Sequence, residues 1–402
     1  MKTAIVPAYK DTPEGLDADT ILRTCVHCGL CTATCPTYRL LGDERDSPRG
    51  RIYLIKQILE GRPVSRITRF HLDRCLTCGA CETTCPSGVR YHHLLQLGRE
   101  LIDKKVPRPP HQRLQRFALR KILPYPKRLS PMVRLADIMR PVLPGMLSRR
   151  IPPHRNLPAL PDRSCQRKVL ILEGCAQSVM MPATNAALIR VLNRMDISVI
   201  NAPEAGCCGA IGYHLAASQE GLAFMRRNID AWWPHVEAGI EAIVISASGC
   251  GLMVRDYGHV LRHDPEYAEK AARVSSLVRD PVELLPEGDV ERLGRIGKGR
   301  VIAFHAPCTL QHGLRLAGRV EPVLTQLGFT LTPVADAHLC CGAAGTYSLL
   351  QPTLSQRLLT DKLARLEVGK PELIATANVG CQLHLQTRTR VPVRHWIELL
   401  DV

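Results

Sequence analysis

Apolar positions follow two rhythms along this chain. In the first hundred residues they recur at helical spacing. Ile52, Ile55 and Leu59 form one stripe within Arg49–Glu60, and Leu94, Leu95, Leu97, Leu101 and Ile102 form another within Tyr91–Lys104. From residue 169 onward, short β-type runs alternate with helical stretches. Val169–Leu172, Ile197–Ile200, Ile243–Ile245, Val301–Phe304, Phe329–Val334 and Leu373–Ala375 are predicted strands, with helices such as Ala183–Arg194 and Gly313–Leu327 between them. Strands alternating with helices imply a parallel sheet, whose ligands gather at the carboxyl ends of the strands. The expected class is α+β and multidomain, with a helical N-terminal module followed by α/β domains.

The cysteines give these elements a chemistry. There are 17 in 402 residues. The opening string MKTAIVPAYKDTPEGLD has no apolar core, so no secretory signal is expected, and no run of 18 apolar residues predicts a membrane span. Cysteine this dense, without secretion, indicates metal or redox chemistry rather than a disulfide scaffold. Cys25, Cys28, Cys31 and Cys35 read C-x2-C-x2-C-x3-C and precede Pro36. Cys75, Cys78, Cys81 and Cys85 repeat the spacing and precede Pro86.

This is the run that two-cluster ferredoxins use for [4Fe–4S] clusters, the fourth cysteine ligating the other cluster. The expected ligand sets are Cys25, Cys28, Cys31 and Cys85 for one cluster, and Cys75, Cys78, Cys81 and Cys35 for the second. Zinc, which prefers two C-x2-C pairs per site, is the competing reading, and two matching four-cysteine runs with trailing prolines set it aside. Residues 1–103 are therefore read as a helical ferredoxin module, analogous to that of succinate dehydrogenase-type iron–sulfur subunits.

A second repeat lies in the C-terminal half. Cys175, Cys207, Cys208 and Cys250 have counterparts in Cys308, Cys340, Cys341 and Cys381, the first three displaced by 133 residues and the last by 131. Gly209 and Gly342 complete a Cys-Cys-Gly in each copy. The period predicts two homologous domains, residues 169–297 and 298–402. Each set of four cysteines falls near strand ends and is expected to converge. Buried cysteines filling small core spaces, thiol–disulfide chemistry and a metal centre are the competing readings. A metal centre in at least one copy, iron–sulfur or zinc, is the preferred one.

Charge then singles out the segment between the halves. The net charge of the chain is +16. Residues 104–168 hold 17 Lys and Arg against Asp137 and Asp162, with 12 prolines and one cysteine, Cys165. The segment is read as a basic connector with two amphipathic pieces. His111–Leu123 carries Leu114, Phe117, Ala118 and Ile122 on one face, and Ser130–Leu147 carries Met132, Leu135, Ala136 and Met139 before Pro141 interrupts it. Basic amphipathic helices suit an anionic lipid interface or a partner protein. Arg113, Arg116, Phe117, Arg120 and Lys121 are the expected docking residues. With one aromatic on these faces, the platforms that stack single strands are missing, and no nucleic-acid partner is expected.

These strings resemble known proteins. The Cys-Cys-Gly copies resemble the cysteine-rich domain family of heterodisulfide reductase, anaerobic glycerol-3-phosphate dehydrogenase and lactate-utilisation proteins. With RTCVHCGLCTATCPTYRLLGDE, SPRGRIYLIKQILEG and HLDRCLTCGACETTCPSGVRYH in front, and EAGCCGA, NIDAWWP, SASGCG, PCTLQHG, HLCCGAAGTY and VRHWIELL behind, the chain resembles the iron–sulfur subunits of bacterial glycolate oxidases. The family pattern often ends in C-x2-C. Met253 and His384 stand at those last positions here, so each copy is one thiol short. This weakens a heterodisulfide-reductase-type active site and makes His384 a candidate replacement ligand. His305 and His312 flank Cys308.

The resemblance implies a division of labour. A flavoprotein partner would oxidise glycolate to glyoxylate and hold the FAD. This chain would carry electrons through two [4Fe–4S] clusters to an acceptor, membrane quinone, from the cytoplasmic side of the inner membrane. No catalytic residue is expected here, and no flavin or nicotinamide fingerprint is present: Gly294, Gly297 and Gly299 have the wrong order and precede a strand. The alternatives are the equivalent subunit of a lactate or glycerol-3-phosphate dehydrogenase, or a thiol–disulfide enzyme.

Overall fold

The computed structural model describes residues 1–142, 165–285 and 290–402. Its N-terminal part is helical. Helix Pro48–Leu59 starts on a Ser47 cap whose side chain accepts from the Gly50 N–H, with Pro48 in the first turn. Its apolar face (Ile52, Ile55, Ile58 and Leu59) packs on Leu94, Leu95 and Ile102 of helix Tyr91–Lys105. The helices touch closely at Gly98, where an added Cβ would fall 2.6 Å from Ile55 Cγ1. Both helices match their predicted spans to within a residue.

Two four-stranded parallel sheets follow. In the first, β1 (Arg167–Ile171), β2 (Ile197–Ile200), β3 (Ala242–Val244) and β4 (Val278–Arg279) take the order β2-β1-β3-β4. In the second, β5 (Val301–His305), β6 (Thr330–Leu331), β7 (Leu373–Thr376) and β8 (Val393–His395) take the order β6-β5-β7-β8. The same order in both halves confirms the internal repeat. Strands β4 and β8 carry only two and three residues and have no hydrophobic run to announce them. The predicted helix Gly313–Leu327 shortens to Val320–Gln326. Arg315 and Gly318 take left-handed backbone conformations ahead of it, which a helix cannot include.

The two sheets share one apolar core. Val169, Leu188 and Leu192 from the first meet Ile302, Phe304, Leu324 and Trp396 from the second. Arg190 with Asp401, and Thr184 with Glu398, tie helix Pro182–Arg194 to the C-terminus. The helical module leans on both halves. His93 Nε2 lies 3.0 Å from the Asp256 carboxylate in the first, and His312 Nδ1 lies 2.9 Å from Thr83 Oγ1 in the second.

The connector forms helices Pro110–Ile122 and Pro126–Ile138. The second ends before Pro141, and residues 143–147 of its predicted span lie outside the described residues, as does the connector as far as residue 164.

Candidate metal centres

Each ferredoxin run is a loop hung from a helix end. Cys25 caps helix Pro13–Thr24, its N–H bonding the Leu22 carbonyl. His27 and Gly29 then adopt left-handed φ values of 60° and 85°, and Thr77 and Gly79 repeat them at 55° and 75°. Two reversals within five residues curl each run tightly. The first three cysteines of one run line a cleft with the last cysteine of the other: Cys25, Cys28, Cys31 and Cys85, joined by Cys81 and walled by Ile52, Val89 and Tyr91. Cys35 lies among the other thiols, with Cys75 and Cys35 both close to Cys78 and to Cys81.

Burial favours the protonated thiol at Cys25, Cys31, Cys78 and Cys81 when no metal is bound. Burial pushes Cys31 up to about 11, with Cys25 and Cys35 adding to it. Burial also holds Cys78 and Cys81 well above the ordinary thiol range, and Cys308 and Cys78 respectively add the next largest push. A cation that replaces the protons relieves both effects, which is how metal binding couples to folding.

Polar groups around the loops escaped the sequence reading. Arg99 donates to the carbonyls of Leu72 and Cys75 at 3.0 and 2.7 Å. The Tyr91 hydroxyl donates to Cys75 Sγ at 3.6 Å, and Thr37 Oγ1 lies 3.3 Å from Cys35 Sγ. Their only signal was a polar side chain on an otherwise apolar helix face.

The second-half cysteines also converge. In the first copy, the thiols of Cys207 and Cys250 hydrogen-bond to Cys208, which holds Cys208 well below the usual range, and Cys175 lies beside Cys207. In the second copy, Cys308 Sγ is 3.9 Å from Cys340 Sγ, Cys340 adjoins Cys341, and Cys341 adjoins Cys381. All four are buried. The glycine of each Cys-Cys-Gly is required by space as well as by conformation. Gly209 and Gly342 have φ of 87° and 89°, and a Cβ on either would approach the backbone oxygen of Gly221 or Ser355 to 2.7 Å.

The histidines separate. His384 is buried, and its Nε2 lies 3.1 Å from Ser355 Oγ. His312 spans Thr83 and the His338 carbonyl. His305 alone joins Cys341 and Cys381 in a group of ligand atoms within 4.8 Å of one another. Burial pushes its imidazole well below the usual range, with Lys362 and His384 contributing. Met253 packs in the apolar core of the first copy.

Of the expected docking residues, Arg116, Arg120 and Lys121 turn inward. Arg116 pairs with Asp73 at 3.1 Å, and Arg120 and Lys121 pair with Glu220 at 2.9 and 2.8 Å. They strap the connector to the body. Arg113 and Phe117 face outward, beside Leu114, and Met132, Leu135, Ile138, Met139 and Val142 are exposed on the following segment.

Comparison with known proteins agrees with this layout. A family model for a 4Fe-4S dicluster domain matches residues 21–89, and one for a cysteine-rich domain matches twice, at 169–255 and 302–386. The chain is 54% identical to the glycolate oxidase iron–sulfur subunit of Escherichia coli (strain K12), covering 100% of this chain and 98% of that protein. It is 29% identical to the probable glycolate oxidase iron–sulfur subunit of Bacillus subtilis (strain 168), over 91% of this chain and 88% of the relative. Lactate utilization protein A of Geobacillus thermodenitrificans is also 29% identical, but over 58% of this chain and 98% of its own length. The match spans the full chain, and the chain belongs to the family of glycolate oxidase iron–sulfur subunits.

Proposed function

We propose that this chain is the electron-transfer subunit of a glycolate-oxidising complex. A flavoprotein partner converts glycolate to glyoxylate, and the electrons leave by way of this chain to membrane quinone. When bound, two [4Fe–4S] clusters supply the one-electron carriers. Cys25, Cys28, Cys31 and Cys85 hold one, and Cys75, Cys78, Cys81 and Cys35 hold the other. The observation that supports this reading is that Cys85 lines a cleft with Cys25, Cys28 and Cys31, while Cys35 lies close to Cys78 and Cys81. The chain's own residues bury Cys35, Cys75 and Cys81, aim the Tyr91 hydroxyl at Cys75 sulfur and brace the loop through Arg99. Such contacts set the potential of a bound cluster.

A further iron–sulfur or zinc centre belongs to this reading, with Cys308, Cys340, Cys341 and Cys381 as the favoured site. Cys308 and Cys340 lie close to Cys78, next to the second N-terminal group.

The test is isolation of the complex from native cells. A flavoprotein partner and glycolate-dependent dye reduction are expected. A preparation that reduces dye with lactate but not glycolate would move the subunit to the alternative reading that the lactate-utilization relatives favour.

The connector docks the complex on an anionic membrane surface. The support is a patch in which Leu114, Phe117, Met132, Leu135, Ile138, Met139 and Val142 stand exposed among Arg113, Lys127, Arg128 and Arg134. No helix among the described residues is long and apolar enough to cross a membrane, so this attachment is peripheral.

A further inference from the structure

We propose that His305 is a metal ligand of the second cysteine-rich domain, forming with Cys341 and Cys381 a mixed thiolate–imidazole site that the first domain lacks. The inference rests on the metal centre proposed there and names a ligand that the cysteine pattern does not contain.

The starting observation is an orphaned side chain. His305 is 1% exposed, and neither of its ring nitrogens has a hydrogen-bond partner. A neutral imidazole offers one N–H and one lone pair, and burying both unmet is costly. The surroundings supply the remedy. A ring nitrogen of His305 and the Sγ atoms of Cys341 and Cys381 lie within 4.8 Å of one another, and all three residues are buried. Ligands at about 2.0–2.3 Å from a shared tetrahedral ion stand roughly 3.5 Å apart, so small movements close the three on one ion.

The fold explains the convergence. His305 ends β5 and pairs in register with Thr376, the last residue of β7. Cys381 follows β7 in helix Val379–Gln386, and Cys341 comes from the Cys-Cys-Gly loop. The three residues thus arrive from separate parts of the chain at the carboxyl end of one sheet. Thr376 is fully buried, and its hydroxyl likewise has no partner.

The first domain supplies the control. The 133-residue displacement that relates Cys308 to Cys175 sets Leu172 opposite His305. Leu172 is buried in an apolar cluster with Met253, an ordinary core residue. The copies therefore differ in chemistry at this position, although they share four cysteines. His384 has other work: with Ser355, whose hydroxyl donates to the Gly342 carbonyl at 2.8 Å, it braces the Cys-Cys-Gly loop. Thiolate sulfur with imidazole nitrogen suits zinc or the iron of an iron–sulfur centre.

The test uses the full chain, reconstituted anaerobically with ferrous iron and sulfide or, separately, with Zn2+. Metal content is measured with zinc-edge X-ray absorption, and with pulsed electron paramagnetic resonance on protein labelled with 15N-histidine. The expected result is metal beyond the about eight irons of two [4Fe–4S] clusters, carrying a nitrogen ligand. His305→Leu, which installs the first domain's residue, should lose that metal while the N-terminal cluster signals persist. His305→Cys should retain the metal without the nitrogen, and His384→Ala should keep both. Metal and nitrogen signals unchanged in His305→Leu would overturn the assignment of this ligand alone, as would a nitrogen signal lost only in His384→Ala. A wild-type chain with no metal beyond the N-terminal clusters would overturn the metal centre and, with it, the ligand.

Discussion

The Arg51 guanidinium meets the Asp46 carboxylate at 3.2 Å with almost no solvent around either side chain. Arg51 also donates to Thr37 Oγ1 at 3.1 Å, and Thr37 is the residue beside Cys35 sulfur. A buried ion pair thus underlies one end of the first cysteine run. Arg74 meets the other Asp46 oxygen at 2.8 Å, so the carboxylate keeps a cation without Arg51, whereas loss of Asp46 strands the fully buried Arg51 charge, at a cost of about 3–5 kcal/mol. Asp46→Leu should destabilise the protein by that amount in anaerobic denaturant unfolding and accelerate cluster loss. Adding Arg51→Met should recover part of the stability, because the buried guanidinium is then gone and Arg74 is partly open to solvent.

Cys85→Ser is expected to perturb the cluster held by Cys25, Cys28 and Cys31 and to spare the other. Reduced-state electron paramagnetic resonance on anaerobically purified protein resolves the two. A change confined to the cluster of Cys75, Cys78 and Cys81 would show that each run keeps its own fourth cysteine.

Acid should loosen the contact between the two cysteine-rich domains. His395 of the second donates from Nε2 to the Ser246 carbonyl of the first at 3.0 Å, while Nδ1 accepts from the Ile397 N–H. This tautomer is neutral, and burial lowers the imidazole to about 4. The folded state therefore binds fewer protons than the unfolded chain between pH 4 and the ordinary histidine value of about 6.5. Stability from this group is complete above that value and declines as pH falls toward 4, by about 3 kcal/mol in all. His395→Gln should flatten the slope of stability against pH across this window, as measured by chemical unfolding at a series of pH values.

Membrane attachment should depend on the outward face of the connector. Each Lys or Arg near an anionic surface contributes about 1 kcal/mol. Reversing Arg113, Lys127, Arg128 and Arg134 should therefore abolish binding to phosphatidylglycerol-containing vesicles, and Leu135→Asp should weaken it. Reversing Arg116, Arg120 and Lys121 tests something else: with Asp73 and Glu220 left unpaired, the connector should come away from the body and become protease-sensitive. Vesicle binding unchanged in the outward-face variants, with the complex still assembled, would rule out this surface.

The partners of those charges show where sequence reading ends. Arg116 and Arg120 looked like one basic flank of an amphipathic helix, but their carboxylates lie 43 and 100 residues away in the chain. Local periodicity says which positions share a face and nothing about what covers that face. The same holds for β4 and β8, where pairing at a sheet edge, rather than intrinsic preference, makes strands of Val278–Arg279 and Val393–His395.

By itself the sequence determined the two ferredoxin runs, the duplicated Cys-Cys-Gly domains and the strand–helix alternation that builds parallel sheets. Ligand spacing and hydrophobic period act over a few residues, so they are written in one dimension, and a duplication shows as a constant displacement. Only the tertiary structure decided that His305 rather than His384 adjoins Cys341 and Cys381, that Cys78 lies beside Cys308, and that Arg116, Arg120 and Lys121 face inward. Each depends on which distant segments share the carboxyl end of a sheet or the face of a helix. That is settled by how the apolar surfaces pack together, and no local window of the chain contains it.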